Sequence, residues 1–465
     1  MEAVNTMNEE YKYGFNDGDV GVVKFSKGLD EEKIRQISAI KKEPNWLLKY
    51  RLKSYQHFLK LENPNFGPDL SDIDFDDIHY FIKASDSTSE NWEKVPTKIK
   101  DTFDRLGVID AEEKFLGGIA TQYESEVVYH SLEKELKEQG VIFTDTDTAI
   151  QQYPELYQKY FGTLVKNDDN KYAALNCSVF SGGSFIYIPK GVKLQKPLHS
   201  YFRLNSDKMG QFERTLIIVE EDAEVTYIEG CTAPSYSSNS LHAAVVEIFV
   251  GKNARCRYTA IQNWSSNVYN LVTKRAICEE GAIMEWIDGN LGSKVNMKYP
   301  AIILKGDHSV GTTISIAVSG KNQIQDAGSK MIHLGKNTSS NIISKSISKD
   351  GGNSIYRGLI YHDEKAINAK TNVECDTLIL DDLSKSDTIP INIVKNGTST
   401  FQHEAKVSKI SEELLYYIQS RGITEEQANE MIVMGFIEPF TRELPMEYAI
   451  ELNQLLKMEM EGSVG

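Results

Sequence analysis

Eight turn-like tripeptides recur at near-regular intervals between residues 189 and 397, and a small or β-branched residue follows each one. Short runs of β-branched and aromatic residues without a helical period lie between them. The residues that follow the tripeptides are Val192, Ala223, Ala254, Ala282, Val310, Thr338, Ala366 and Thr398. Their spacings are 31, 31, 28, 28, 28, 28 and 32 residues. Such a repeat predicts a solenoid of stacked coils.

The repeating unit consists of strands alone and is too short for a propeller blade with its own four-stranded sheet. We therefore predict a mainly β fold with a parallel β-helix as its core, and an open antiparallel sandwich is the alternative. In a β-helix, residues at the same phase of successive coils stack in a column at roughly 5 Å per coil. The phase of a residue within the repeat therefore predicts its neighbours.

A helical region precedes the repeat and another follows it. We predict an N-terminal helical region over 1–165, a β-helix over 166–405 and a small C-terminal helical domain over 406–465. In the first region, Asp30 is a candidate N-cap. The stretch AEEKFLGGIATQYESEVVYHSLEKELKEQG has a long amphipathic pattern that ends at Gly140.

The C-terminal region carries its own helix signals. SEELLYYIQSRG ends at Gly422, and TEEQ makes a capping box at Thr424. The helix that follows has Ala428, Met431 and Ile432 on one apolar stripe. A stripe of this kind is typical of a core-facing helix, so the pattern alone does not indicate an interface.

Composition excludes several classes of function. The chain has 67 acidic and 51 basic side chains, a net charge of -16, and no strong local basic patch, which argues against nucleic acid as a partner. No stretch approaches the roughly 18 apolar residues that a membrane helix needs. The start, MEAVNTMNEEYKYG, lacks the basic and apolar segments of a secretion signal. We therefore expect a cytoplasmic protein.

The cysteines are odd in number and widely scattered. No CxxC pair occurs, so neither a structural zinc site nor a disulfide framework is indicated. In a reducing compartment, each cysteine is by default a small buried residue. The five are Cys177, Cys231, Cys256, Cys278 and Cys375. We assign no role to Cys177, Cys256 or Cys278.

Phase singles out the other two cysteines. Cys231 and Gln262 each lie eight residues after their markers and Cys375 lies nine after its own, so all three should fall on nearly one column. Five coils, about 25 Å, separate the two cysteines, too far to share a metal. Glu404 follows Cys375 by 29 residues, about one coil, with His403 beside it. A thiolate, an imidazole and a carboxylate are plausible metal ligands, and a polar pair at the solenoid's end is the alternative.

Several long motifs resemble the SufB branch of the SufB/SufD family, the scaffold subunits of the SUF iron-sulfur cluster assembly machinery. They are NVECDTLILDD, QHEAKVSKISEE, EGCTAP, SLHAAVVEIFV, IQNW, NLVTKRAICEE, KYPAIILKGD, GSKMIHLGKNTSS and GFIEPFTRELPMEYA. The resemblance covers essentially the whole chain. It implies a right-handed parallel β-helix flanked by an N-terminal helical region and a small C-terminal helical domain.

The resemblance also implies roles for individual residues. Cys231 would be the persulfide acceptor, supplied by a cysteine desulfurase through a sulfur-shuttle protein. Cys375 and Glu404 would be ligands of a nascent cluster, with His403 nearby and a further ligand from a partner. The residues that match the family's sulfur route through the β-helix are Arg203, Asn205, Gln262, Trp264 and Lys274.

The implied cofactors are a transient iron-sulfur cluster of the 4Fe-4S type and reduced FAD as an electron source. The implied partners are a SufC-type ABC ATPase on the C-terminal helices, a SufD-type paralogue and cluster carriers or apo-protein recipients. The chain lacks a GxxxxGK[ST] phosphate loop, so ATP hydrolysis would come from the ATPase.

One position departs from the family motif. Gln402 stands where other members have an acidic residue, and an amide is a poor iron ligand, so we leave it out of the predicted ligand set. Two other functions stay open. The chain could be a polysaccharide-active β-helix enzyme, although we find no carboxylate cluster at coil spacing. It could also be the SufD-type paralogue, which Cys375 and the HEA motif argue against.

Overall fold

The computed structural model describes residues 23–85, 88–105, 108–233, 238–442, 449, 452–453 and 455–457. The stretch 1–22, which carried the argument about a secretion signal, lies outside this range, as does much of the tail after residue 442. The elements of the N-terminal region are β1 Val23–Lys24, α1 Glu31–Ile40, α2 Asn45–Lys60, β2 Ile82–Lys83, α3 Thr97–Arg105, α4 Val108–Phe115, β3 Gly118–Tyr123, β4 Glu126–Leu132, α5 Lys134–Glu138, β5 Ile142–Asp145, α6 Thr146–Gln152, α7 Pro154–Tyr160 and α8 Lys171–Val179. Asp30 caps α1 as predicted, since its side chain accepts a hydrogen bond from the Lys33 amide.

The amphipathic pattern that ends at Gly140 suggested one long helix, and this interpretation was wrong. The segment forms the end of α4, the β3–β4 hairpin and the short helix α5. The hairpin brings the backbone at Gly118 close to the paired strand, where a Cβ would lie 3.0 Å from the Ser131 carbonyl oxygen. Strand β3 pairs in parallel with the solenoid strand β7 and antiparallel with β4. Tertiary pairing therefore overrides a helical period that the sequence also satisfies.

The strands from β6 to β24 form a parallel β-solenoid, as predicted. Its strands are β6 Ser184–Ile188, β7 Leu198–Arg203, β8 Gly210–Gln211, β9 Arg214–Val219, β10 Glu224–Thr232, β11 Ser240–His242, β12 Val245–Val250, β13 Arg255–Trp264, β14 Val268–Cys278, β15 Ile283–Gly292, β16 Val295–Lys298, β17 Ala301–Leu304, β18 Val310–Ser319, β19 Ile324–His333, β20 Ser339–Ser348, β21 Asn353–His362, β22 Lys370–Ile379, β23 Lys385–Val394 and β24 Thr400–Lys409.

The solenoid consists of two facing sheets. One has the order β4-β3-β7-β10-β13-β15-β18-β20-β22-β24, and the other runs β5-β6-β9-β12-β14-β16-β19-β21-β23 with β8, β11 and β17 alongside. Successive coils pair in parallel; for example, Cys231 of β10 lies opposite Gln262 of β13. The alternative of an open antiparallel sandwich is therefore wrong.

The repeated tripeptides are the corners of the coils. Several marker residues follow a residue in the left-handed region of backbone conformation, where Gly, Asn and Asp cost least. The left-handed residues that directly precede a marker are Gly191, Asp222, Asn253, Gly281 and Asn337, with φ between 54° and 74°. The markers Ala223, Ala254 and Ala282 are fully buried inside the turn. The corner therefore combines a left-handed residue with a small buried one, which accounts for the repeat.

Helices cover part of the outer face of each sheet. A hydrophobic cluster joins Phe103 of α3 and the C-terminal residues Ile437 and Phe440 to Ile228 and Ile261 of the first sheet. On the second sheet, Leu175 of α8 packs with Tyr269 and Leu271 of β14. The space between the sheets is filled by a separate cluster that includes Val225, Tyr258 and Ile302.

The first helices after the solenoid are α9 Glu412–Gln419 and α10 Glu425–Thr441. The predicted capping box is present at Thr424 with Gln427. No helix among the described residues is both long and apolar enough to cross a membrane.

The last coil, β23 and β24, is the end of both sheets within the described part of the chain. Its inward-facing Val394 and Val407 remain 42% and 52% exposed because no further coil stacks on them there. This coil is hereafter called the open end.

Candidate functional site

Cys231 lies in the interior of the solenoid. It is 1% exposed and belongs to a small apolar cluster with Phe202, Trp264 and Val268. Because side chains alternate between the faces of a strand, Gln262 points inward on the next coil directly beside Cys231. The predicted column of Cys231 and Gln262 is therefore present.

Two buried lysines and two buried carboxylates lie on the same inner side. Lys274 Nζ is 3.5 Å from Asp288 Oδ1 and 3.7 Å from Glu229 Oε1, and Lys298 Nζ is 3.0 Å from Asp288 Oδ1. Lys274 also lies over the ring of Tyr258, 4.4 Å from its centroid. The four charges balance, which is what allows them to stay buried.

Gln262 joins these charges to a second group of polar side chains. Its Oε1 accepts hydrogen bonds from Lys298 Nζ at 3.1 Å and from Asn270 Nδ2 at 2.8 Å. Asn270 in turn lies 2.6 Å from His242 Nδ1, and the other ring nitrogen of His242 contacts the Glu213 carboxylate. A continuous polar chain therefore runs from Glu213 to Glu229 through the solenoid interior.

The surroundings shift the pKa values of this chain in different directions. Burial lowers the pKa of Lys298 to about 8, and Asp288 only partly offsets it. Burial would also lower the pKa of Lys274, but Asp288 and Glu229 outweigh it and hold that pKa above its usual value. The same balance applies to His242, whose pKa Glu213 raises against the effect of burial.

The Cys231 thiol is protonated at neutral pH. Burial, Glu229 and Glu213 raise its pKa well above the usual value, and Lys274 and Lys298 oppose them only in part. A thiolate is the reactive form of cysteine. Cys231 can therefore react only when its shell opens or when a nearby base takes its proton.

Arg203 and Asn205 lie apart from this chain. Arg203 points to the outer side of β7, where its Nη1 donates to Thr232 Oγ1 at 3.1 Å. The backbone N–H of Asn205 donates to Glu124 Oε2 at 3.3 Å. The structure thus brings Gln262, Trp264 and Lys274 to the inner side with Cys231, and it does not bring Arg203 or Asn205 there.

Cys375 and His403 meet near the open end. Cys375 Sγ is 3.7 Å from His403 Nε2, and both side chains face the interior from neighbouring strands β22 and β24. Cys375 is 4% exposed, and its pKa is raised to about 12 by burial, which a Tyr356 hydrogen bond opposes and Asp376 supports. Burial lowers the pKa of His403, so its imidazole is neutral and can act as a ligand.

Glu404 does not join this pair. It lies opposite Glu374 in register, so its side chain is on the outer face, where it is exposed. Gln402 is likewise exposed on the outer face, opposite Asn372. Within the described part of the chain, no three His, Cys, Asp or Glu side chains form a group that could hold a metal ion.

The two cysteines share a face but not a column. Across the coils, the column of Cys375 passes through Ser344, Ser315 and Asp288 and reaches Glu229, two residues before Cys231. Cys231 and Cys375 are therefore five coil steps of about 5 Å apart along the solenoid, and they are offset by a further distance of about 7 Å, or two residues, along the strand direction. The predicted separation of about five coils is confirmed, and the single column is not.

The remaining cysteines have distinct surroundings. Cys256 and Cys278 lie in the apolar interior, where burial raises both pKa values. Cys177 of α8 accepts hydrogen bonds from Arg214 Nη1 at 3.0 Å and Tyr50 Oη at 3.3 Å.

Sequence reasoning missed most of the interior polar chain. The missed members are Glu213, Glu229, His242, Asn270, Asp288 and Lys298. A signal was available in part, because Glu229 precedes Cys231 by two residues and must share its face in a strand. The members on the second sheet gave no such signal, since the pairing between the sheets is not encoded in local spacing.

Comparison with known proteins gives a consistent result. The chain matches two family models, "SUF system FeS cluster assembly, SufBD core domain" over residues 202–436 and "SufBD protein N-terminal region" over residues 119–199. It is 60% identical over 455 residues to an iron-sulfur cluster assembly SufBD family protein of Staphylococcus saprophyticus, covering 98% of each chain. It is 59% identical over 456 residues to the iron-sulfur cluster assembly protein SufB of Bacillus subtilis, again covering 98% of each.

Proposed function

Because the chain belongs to the SufB/SufD family of iron-sulfur cluster assembly proteins, we propose that it is the scaffold subunit that accepts persulfide sulfur and holds a nascent cluster. The observation that carries this proposal is that two of the inward-facing thiols of this sheet, Cys231 and Cys375, have polar side chains beside them, whereas Cys256 lies among apolar ones. Cys231 lies beside the buried polar chain in the middle of the solenoid, and Cys375 lies beside His403 near the open end.

Sulfur enters at Cys231. The outer sulfur of a persulfide on the shuttle protein passes to the Cys231 thiolate, so one S–S bond forms as another breaks and the donor leaves as a thiolate. No electron is gained or lost in this exchange. The raised pKa of Cys231 means that its proton must first be removed, and the buried carboxylates of the polar chain are the nearest groups of the right kind.

The polar chain supports the sulfur route. Gln262 and Lys274 lie on the inner side and are held in place by Lys298, Asn270 and Asp288. Arg203 and Asn205 act from the outer side of the same sheet, around Glu124 and Thr232. We place Trp264 at the wall of the route, since its ring packs with Cys231 and lies 4.6 Å from that of His242.

The cluster is cargo that this chain holds at the open end. Cys375 and His403 supply a soft sulfur and a nitrogen ligand on one side of it. Glu404 reaches the same place only if the edge strand β24 rearranges when a partner docks. β24 is the edge strand of its sheet within the described residues and pairs only with β22. We propose a 4Fe-4S type, with the remaining ligands from the partner.

Exposed apolar surface supports two partner sites. The open end, with Val394 and Val407, fits a SufD-type paralogue that continues the two sheets. The C-terminal helices expose Leu414, Tyr416 and Met431, which fits docking of a SufC-type ABC ATPase. We further propose a cysteine desulfurase with its shuttle protein as sulfur donor, cluster carriers or apo-proteins as recipients, and a cytoplasmic location, where the free thiols of the described residues stay reduced.

Two cavities among the described residues are poorly suited to hold a whole molecule of reduced FAD. A cavity beside α8 has aromatic walls, but its volume of about 290 Å³ is at the lower limit of drug-sized sites, and FAD is larger than a drug-sized ligand. A cavity of about 600 Å³ at the turns around Asn337 and Asn368 is lined by amides, hydroxyls and lysine without an aromatic ring. No step is therefore assigned to a flavin.

The first test is anaerobic co-expression of the chain with its SufC-type and SufD-type partners, followed by measurement of iron and acid-labile sulfide. The wild type should carry both, and Cys375→Ser should lose both while the complex stays intact. Cys256→Ser is the matched control, because Cys256 is equally buried but lies away from the open end. If Cys375→Ser keeps its iron and sulfide, the cluster site is elsewhere.

A second measurement separates sulfur entry from cluster binding. Cys231→Ser should lose persulfide loading from the desulfurase and shuttle protein, whereas Cys375→Ser should retain it. Equal loading of the wild type and Cys231→Ser would refute the assigned entry point.

A further inference from the structure

A cavity of about 290 Å³ lies outside the solenoid, between the N-terminal helical layer and the second sheet. Leu271 of β14 and Met297 of β16 form its apolar floor, and Phe66 and Tyr172 line it from the N-terminal side. This volume is close to the lower limit of about 300 Å³ for ligand pockets and suits a ring system of one or two rings. The cavity opens on the outer face of the sheet, although Lys274 of the interior polar chain also contributes to its lining.

Cations outnumber carboxylates around this cavity, in a chain whose overall charge is -16. Two of the cations are already engaged. Arg275 Nη1 binds Asp169 Oδ1 at 2.8 Å, and Lys171 Nζ donates to the Leu61 carbonyl at 2.8 Å. The carboxylates in the lining are Asp169, which Arg275 neutralises, and Glu62.

Lys330 and Lys171 are the two lining cations that form no ion pair with a carboxylate among the described residues. Lys330 lies on the outer side of β19, with Nζ 5.5 Å from the ring centroid of Tyr299. Burial and the positive charge of Arg275 lower the pKa of Lys330, and Asp169 opposes them only in part. An anion in the cavity would relieve both effects.

We propose that this cavity binds a small organic monoanion, with an aromatic or other flat apolar body between Tyr172 and Met297 and its carboxylate on Lys330. The apolar floor and aromatic walls bind the body, and the ammonium selects the anionic group. Tyr172, Met297 and Lys330 belong to neither the proposed cluster site nor the sulfur route.

The test uses 2-naphthoate as the probe and the neutral 2-naphthylmethanol as its comparison, measured by calorimetry on the full chain. At about 0.3 kcal/mol per non-hydrogen atom, 2-naphthoate should bind with a Kd of about 1 mM or tighter. Lys330→Met should weaken 2-naphthoate at least about tenfold and leave 2-naphthylmethanol unchanged. Lys330→Arg should restore most of the affinity.

Two further variants control for folding and for binding elsewhere. Lys336→Met removes an exposed lysine a few residues further on and should change nothing. Ala301→Leu adds volume in the cavity wall and should weaken both probes. Absence of saturable binding to the wild type, or equal binding of 2-naphthoate to the wild type and Lys330→Met, would overturn the proposal.

Discussion

The middle of the solenoid and its open end place a thiol on the same face of the same sheet, but in opposite physical settings. Around Cys231, lysines and carboxylates form a closed and neutral hydrogen-bonded chain. Around Cys375, His403 is the inward polar neighbour on the next coil, and that coil is the last one within the described residues and is exposed. The first region is enclosed within one chain, whereas the second has an exposed edge among the described residues.

The two regions should differ in how well they tolerate amino-acid substitutions. A buried charge pair is costly to break, because the remaining charge cannot be solvated. Side chains at an exposed edge can be replaced with little effect on folding. Variants in the middle should therefore act on stability, and variants at the open end should act on assembly.

The largest expected effect is on Lys274. Lys274→Met leaves Asp288 and Glu229 with one lysine fewer in a fully buried site and should cost about 3–5 kcal/mol of unfolding free energy. Denaturant unfolding measures this change. Lys406→Met, on the exposed edge strand, is the matched control and should stay within about 0.5 kcal/mol. Equal losses for the two variants would remove the distinction between the regions.

The second prediction concerns how the stability of the folded chain depends on pH. Burial and the neighbouring His362 lower the pKa of His333 to about 3, so the unfolded chain binds a proton below about pH 6.5 that the folded chain does not. Stability should therefore fall as pH decreases from about 6.5, by about 3 kcal/mol at pH 4.5 for this one group. His333→Gln should flatten the pH profile by that amount, and His403→Gln, near the edge, should change it much less. Parallel profiles for the wild type and His333→Gln would contradict this assignment.

The third prediction addresses the open end directly. Val407→Asp puts a charge on the exposed inner face of the last coil and should weaken binding of a SufD-type chain about tenfold or more. The unfolding free energy of the isolated chain should change by less than about 1 kcal/mol, because Val407 is 52% exposed. Co-purification and unfolding of the same sample separate the two effects. Unchanged binding would mean that the partner docks elsewhere.

The smallest effect on folding is expected for Glu404. Because its side chain is on the exposed outer face, Glu404→Ala should alter stability by less than about 0.5 kcal/mol. If the edge strand rearranges to bring Glu404 to the cluster, the same variant should shorten the lifetime of bound iron against a chelator. Glu374→Ala, the neighbour in register, is the control. A large drop in thermal stability with no change in iron release would refute a ligand role.

Much of the solenoid was predictable, and the reason is local. The corners pair a left-handed Gly, Asn or Asp with a small buried residue, as at Asn253 and Ala254, so each turn is written in a few adjacent positions. The capping box at Thr424 is equally local and is confirmed. The hairpin after α4 was not predictable, because its amphipathic pattern suits a helix and only pairing with β7 selects strands.

For the site, the sequence by itself determined which residues lie on neighbouring coils. The tertiary structure decided which of them face the interior of the solenoid. Spacing placed Cys231 beside Gln262 and put Cys375, His403 and Glu404 on neighbouring coils. Only the register put His403 inside and Glu404 outside, since a shift of one residue reverses the face of a strand residue. The polar chain from Glu213 to Glu229 depends on contacts between the two sheets, and no local spacing in the sequence encodes these contacts.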